Sequence, residues 1–226
     1  MVVGNGLIAK AFDAYKNNDE VIVFASGVSN SSETIDKEYH REIELLLSYK
    51  EKSQRLIYFS TCSISDQYLQ NSAYTNHKSK VEKIIEEVFS RYLILRLPNL
   101  IGHTKNPNTM FNYFKNALLA NTQVQIQENA YRYLLDIDDL AMLLPAILKN
   151  STENLKIDVA VDNKQSVLSI YLTIAKVLGV AGNYKLIKGG YNYTLNLEQI
   201  STLALKENIH LQPNSGTFLF EKYLLK

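Results

Sequence analysis

The chain has 226 residues, enough for one full hydrophobic core or for a core with a smaller lobe beside it. Hydrophobic residues make up 46% and charged residues 21%, and the formal net charge is +1, so there is no electrostatic case for nucleic acid or an anionic membrane as a partner. A single cysteine, Cys62, excludes an internal disulfide and a cysteine-built zinc site and suits a reducing compartment. No basic leader followed by an apolar run is visible, and no stretch reaches the ~18 apolar residues of a bilayer span, so a cytoplasmic protein is expected.

Short β-branched runs alternate with helical patterns along the chain. Residues 1–3 predict a strand stub, 7–16 a helix and 21–25 (VIVFA) a buried strand. A helix follows over 38–50, with Ile43, Leu46 and Leu47 on one face, and then a strand over 55–60 (RLIYFS). Residues 72–89 predict a long helix with Val81, Ile84, Ile85 and Val88 on one stripe, and 92–97 (YLILRL) a strand closed by Pro98. This alternation implies an α/β fold with βαβ crossovers and a parallel sheet covered on both faces. Beyond residue 104 helices are expected over 110–120, from 138 or 139 to 149 through Pro145, over 169–178 and over 195–208, and strands over 132–137 and 157–161. Residues 182–193 read as turn-rich, and the tail ends with 218–225.

Ligands of such sheets sit outside the C-terminal strand ends, which directs attention to the segments after each strand. The first is Gly4-Asn5-Gly6-Leu7-Ile8-Ala9, a G-x-G-x-x-A match of the kind that lets backbone approach a pyrophosphate; the bland alternative is a ligand-free strand-to-helix turn. No strand ending in Asp or Glu follows at the distance where an adenosine ribose would be gripped. The second is Tyr74-Thr75-Asn76-His77-Lys78. Its phenol and ammonium lie four residues apart on one helix face, where the cation is expected to lower the tyrosine pKa into a usable acid–base range. A second Tyr/Lys pair at this spacing, Tyr184 and Lys188, falls in the turn-rich region and carries no such context. Thr61 closes the strand RLIYFS and so places a hydroxyl at the ligand edge. Asp136, Asp138 and Asp139 read as a strand end and helix cap rather than a metal site, and the four histidines show no ligand spacing, so no metal is expected.

Six segments in order, VVGNGLIAKAF, VIVFASGVSNS, RLIYFSTCSISD, SAYTNHKSKVEKII, YLILRLPNLIG and YRYLLDIDDLA, resemble the extended short-chain dehydrogenase/reductase family, in its NAD-dependent nucleotide-sugar epimerase, dehydratase and reductase branch. The resemblance implies a Rossmann-like doubly wound parallel sheet with a small C-terminal α+β substrate lobe. It places a dinucleotide-binding domain over residues 1–150 and the lobe over 151–226, the two interleaved. Two strands that carry adenosine recognition in the family are missing between the first helix and VIVFASG, so the sheet is expected to be shortened on that side.

By the same resemblance Tyr74 exchanges a proton with a substrate oxygen, Lys78 holds the nicotinamide ribose, and Thr61 hydrogen-bonds the substrate oxygen. Gly4, Gly6, Leu7 and Ile8 form the phosphate loop. Ala25, Ser26, Gly27 and Ser60 lie along the cofactor, and Pro98 and Asn99 border nicotinamide and substrate. Arg132 contacts the substrate's diphosphate, the bland alternative being a surface or strand-edge arginine, and Cys62, directly after Thr61, either faces the substrate or is a passive small side chain. The implied cofactor is NAD or NADP, the implied partner a nucleotide sugar, and a homodimer is possible. No Glu follows Thr61, which argues against dehydration. Reduction of a keto-sugar comes first, with epimerisation by the same three residues, or a non-catalytic nucleotide-sugar or NADP-binding relative, as the alternatives.

Overall fold

The computed structural model describes residues 1–69, 71–211 and 217–225. Its main sheet has five parallel strands in the order β1 (Val2–Val3), β2 (Val21–Phe24), β3 (Arg55–Thr61), β4 (Tyr92–Leu97) and β9 (Leu155–Asp158). The register runs straight across, with Phe24 beside Tyr58, Tyr58 beside Ile94 and Ile94 beside Lys156. Because strand side chains alternate between faces, each run splits into two sets. Val23, Ile57, Leu93 and Leu95 face α1 (Leu7–Ala11) and α5 (Ile137–Asn150), while Ile22, Leu56, Tyr58 and Ile94 face α2 (Asp36–Leu47) and α3 (Ala73–Val88). Strands buried on both faces are what makes their sequences read as continuous apolar runs.

Sheet and helices lie within a few residues of the positions expected from the pattern. α1 is shorter than its periodicity suggests: Phe12 leaves helical geometry, buries its ring against Phe59 at 5.8 Å, and a single 3-10 turn follows over Asp13–Tyr15. Among the described residues β1 has a neighbour only on the β2 side, so the sheet is short on the side where adenosine strands were expected to be lost.

Around the C-terminal strand ends sit three two-stranded sheets. β5 (Asn99–Ile101) pairs in parallel with β8 (Leu134–Asp136), β7 (Tyr131–Arg132) runs antiparallel to β10 (Gln165–Ser166), and β6 (Val124–Gln127) pairs in parallel with β11 (Tyr184–Ile187). β11 corrects the turn-rich reading of 182–193: the strand is largely exposed, so it lacks the apolar alternation that marks a strand in sequence. The strand expected over 132–137 is two strands broken at Tyr133, and α5 begins at Ile137 because the Asp136 carboxylate accepts from the Asp138 N–H. A second apolar cluster joins α4 (Met110–Leu119) and β6 to α6 (Val167–Leu178) and α8 (Phe218–Leu224). β9 lies beyond residue 150 yet completes the main sheet, whereas α4 and β6 lie before it and pack with α6 and α8.

Candidate active site

A cleft of about 1170 Å³ opens at the C-terminal ends of β1 to β4 and extends over the second lobe. One wall is the loop from Gly4 to Ile8. Gly4 has φ +120°, and a Cβ there would stand 2.5 Å from the Ala25 carbonyl oxygen, so only glycine lets β1 turn this close to β2. Gly6 differs. Its backbone is extended, and a Cβ on it would meet nothing within 4 Å, so its missing side chain leaves space in the cleft rather than relieving a clash. Ala25, Ser26 and Gly27 form the floor after β2, and Pro98 and Asn99 the edge after β4.

The opposite wall carries Thr61, Tyr74 and Lys78, which the fold brings together. Thr61 ends β3 and caps a 3-10 turn, its hydroxyl accepting from the Ser63 N–H at 3.1 Å. Ser72 caps α3, accepting from the Thr75 N–H at 3.2 Å, which sets Tyr74 in the first turn and Lys78 one turn on. The Thr61 side chain stands beside the Tyr74 phenol and acts to lower its pKa. Burial pushes that phenol up, against the lowering effects of Lys78 and Thr61, and the net shift is upward. The lowered tyrosine expected from a neighbouring cation is thus corrected. Tyr74 is buried, and the charge on Lys78 is offset by a carboxylate that sequence reasoning missed.

That carboxylate is Glu42 of α2, fully buried. The Lys78 ammonium donates to Glu42 Oε1 at 3.0 Å and to the Tyr58 hydroxyl at 2.9 Å. Burial alone would raise the Glu42 pKa. The Lys78 charge and hydrogen bonds from His77, Tyr58 and the Val28 N–H outweigh it and hold the carboxyl well below the usual range. The missed signal is positional: Glu42 stands between Tyr39 and Leu46 in the buried stripe of α2, where an acid needs buried partners.

Other expected site residues are placed less directly. Ser60 contributes to the lining, but its hydroxyl donates to Glu82 at 2.6 Å. Glu82 also receives both arms of Arg96, at 2.9 and 2.6 Å. Cys62 is not part of the lining. Its thiol is fully buried, donates to the Arg96 carbonyl at 3.2 Å and is pushed well up by burial, which corrects the expectation that it faces a substrate. Arg132 does reach the cleft, anchored by the buried Asp66 at 3.1 Å. Among the described lining residues the charged groups are Arg41, Lys78 and Arg132, with no carboxylate, an arrangement suited to anionic phosphate esters. No group of three described His, Cys, Asp or Glu side chains is placed to hold a metal. No helix among the described residues is long and apolar enough to cross a membrane.

The model of the NAD dependent epimerase/dehydratase family matches residues 4–160. The chain belongs to this family. No curated protein matches it by sequence. Among solved structures it is similar to the UDP-N-acetylglucosamine 4-epimerase of Methanobrevibacter ruminantium M1 in complex with UDP-N-acetylmuramic acid, at 15% identity and a TM-score of 0.68, covering 98% of this chain and 79% of that one. It is also similar to the UDP-glucuronic acid 4-epimerase of Bacillus cereus in complex with UDP-glucuronic acid and NAD, at 16% identity and a TM-score of 0.69, covering 94% and 77%. A third is the dTDP-glucose 4,6-dehydratase of Bacillus anthracis str. Ames in complex with NAD, at 14% identity and a TM-score of 0.65, covering 97% and 79%. The Rossmann-like fold expected from the sequence is therefore the fold observed, and membership makes the chain an NAD-dependent enzyme of the epimerase/dehydratase kind.

Proposed function

We propose that this protein epimerises a nucleotide-linked sugar, with Tyr74 moving the proton. The observation that carries the reading is the meeting of Tyr74, Lys78 and Thr61 on one wall of a carboxylate-free cleft whose other wall is the Gly4–Gly6 loop. Similarity to UDP-sugar 4-epimerases supports epimerisation over the net reduction of a keto-sugar that the sequence put first.

The residues present suit NAD on its nicotinamide side. Gly6 leaves room for a pyrophosphate, Gly27 brings the floor close, and Lys78 keeps one N–H beyond those bonded to Glu42 and Tyr58 for a ribose hydroxyl. The chemistry supplied by bound NAD is reversible hydride uptake. Thr61 orients the sugar oxygen by hydrogen bonding. Tyr74, once ionised to its phenolate, would take the proton from that oxygen on oxidation and return it to the same oxygen on reduction, after the sugar has turned to present its other face. Arg132, held by Asp66, binds the diphosphate and keeps the sugar tethered while it turns. The aromatic and amide side chains of the second lobe, among them Phe111, Tyr113 and Gln127, line the nucleotide end.

The test is incubation with catalytic NAD and UDP-glucose, UDP-N-acetylglucosamine or UDP-glucuronic acid, with products resolved by proton NMR. Formation of the C4 epimer without net change in NADH supports the reading. Stoichiometric NADH consumption with a 4-keto sugar would move the assignment to a reductase. Binding of NAD and UDP-sugars with no turnover of either class would make the protein a non-catalytic relative.

A further inference from the structure

We propose that Glu42 is a positioning residue: from beneath the cleft floor it anchors Lys78 by its ammonium and offsets the charge that Lys78 presents to Tyr74. The proposal rests on the reading of Tyr74 and Lys78 as the reacting pair.

Four donors converge on this one carboxylate. Oε2 accepts from the Val28 N–H at 2.6 Å and meets His77 Nε2 at 2.9 Å. Oε1 accepts from the Tyr58 hydroxyl at 2.6 Å and from Lys78 Nζ at 3.0 Å. A carboxylate has about four acceptor positions, so Glu42 is saturated, and each donor is held in place by the same group. The donors come from β3, α3 and the loop after β2, and Glu42 itself from α2, so the carboxylate ties together every element that frames this wall of the site.

The pair lies directly against the cleft. A Cβ on Gly27, a floor residue, would stand 2.8 Å from Lys78 Nζ and 2.9 Å from Glu42 Oε1. The absent side chain leaves the ion pair room beside the cleft floor. Stability alone does not call for an acid here: an apolar residue would continue the stripe of Tyr39 and Leu46, and buried ion pairs are weak contributors to stability once desolvation is counted. What the acid adds is a fixed ammonium with two of its three N–H groups committed and the third free for the cleft.

The same acid shapes the charge felt at Tyr74. The titratable groups facing this pair are Tyr39 and Glu42 from α2, Tyr58 from β3, Cys62 just after it, and His77, Lys78 and Glu82 from α3. The Glu82 charge is already taken by Arg96, and His77 stacks on Tyr39 at 4.4 Å. Glu42 is therefore the acid whose removal changes the balance at Tyr74, leaving Lys78 as an uncompensated cation one helical turn away.

The experiment uses the full chain labelled with 13Cζ-tyrosine, with the Tyr74 resonance identified by its loss in Tyr74→Phe. In Glu42→Gln the Tyr74 titration midpoint is expected to fall by about one pH unit or more. In an active preparation the acid limb of kcat/KM should move the same way. A merely structural Glu42 would lower the melting temperature and leave that midpoint where it is in the parent, and this result would overturn the proposal. Should Glu42→Gln not fold, 15N NMR of the parent provides the second measurement. The Lys78 ammonium, identified by its loss in Lys78→Met, should give a slowly exchanging signal; rapid exchange of that ammonium with water would refute the anchor. Neither NMR readout needs turnover, so a failed assay with UDP-sugars bears on the reaction assigned above and leaves this inference standing or falling on its own.

Discussion

Two glycines in one loop make a sharp test of what the loop is for. Gly6 has φ −77° and ψ −165°, values open to any residue, and free space where a Cβ would go. Gly6→Ala should therefore not harm the fold. A Gly to Ala change at a compatible backbone stabilises by about 0.4–1 kcal/mol through the unfolded chain, but Gly6 caps α1, where Ala is less favourable by a similar amount, so the melting temperature should stay within roughly 2 °C of the parent. Gly4 has φ +120°, and its added Cβ would press on the Ala25 carbonyl at 2.5 Å. Gly4→Ala should cost about 1–3 kcal/mol from the backbone conformation alone, and more from the clash, a fall of roughly 2–12 °C or greater. Binding reverses the order of interest. The new methyl of Gly6→Ala occupies the space assigned to the pyrophosphate and should weaken NAD by ~10-fold or more, about 1.4 kcal/mol, without unfolding the site. Calorimetric titration with NAD beside thermal melts reads both effects. A Gly6→Ala protein that binds NAD as tightly as the parent would remove the loop from the cofactor site, whatever the melting temperatures show.

Tyr74→Phe should lower kcat by about 10²–10⁴-fold while NAD affinity stays near the parent value, because only proton transfer is lost; a steady-state assay beside a binding titration separates the two. Arg96→Met leaves Glu82, whose side chain is 3% exposed, with Lys156 at 3.7 Å and the Ser60 hydroxyl as its remaining partners, and should destabilise by about 1–3 kcal/mol in urea, with Arg96→Met/Glu82→Gln recovering part of the loss; equal stability of the single and double variants would count against the pairing. Glu42 is held below its ordinary value of 4.5 in the folded state, so its contribution is complete above that pH and is lost as pH falls below it toward the folded pKa. Denaturation midpoints measured from pH 7 down to pH 3 should therefore drop more steeply in the parent than in Glu42→Gln, and parallel curves would contradict the shift.

Much of this protein is local in its logic. RLIYFST and YLILRL are strands largely buried on both faces, and such runs announce themselves because apolar residues follow one another, with Arg55 and Arg96 the charged exceptions. α3 is legible from its stripe and its Ser72 cap, and Tyr74 and Lys78 share a face because helical periodicity requires it. The order of strand ends along the chain then suffices to bring Gly6, Thr61, Tyr74 and Asn99 to one cleft, since parallel crossovers return each strand end to the same edge of the sheet. What a side chain does at that edge depends on partners far away in sequence. Glu42 reaches Lys78 across 36 residues, Ser60 turns to Glu82 rather than the cleft, Arg132 is steadied by Asp66 from 66 residues away, and Cys62 is sealed beneath Arg96. β11 exists because Tyr184–Ile187 finds β6, some sixty residues earlier, and not because of its own pattern. Periodicity and turn chemistry are properties of neighbouring residues. The protonation of Tyr74 is a sum over charges that only the folded chain brings within a few ångströms.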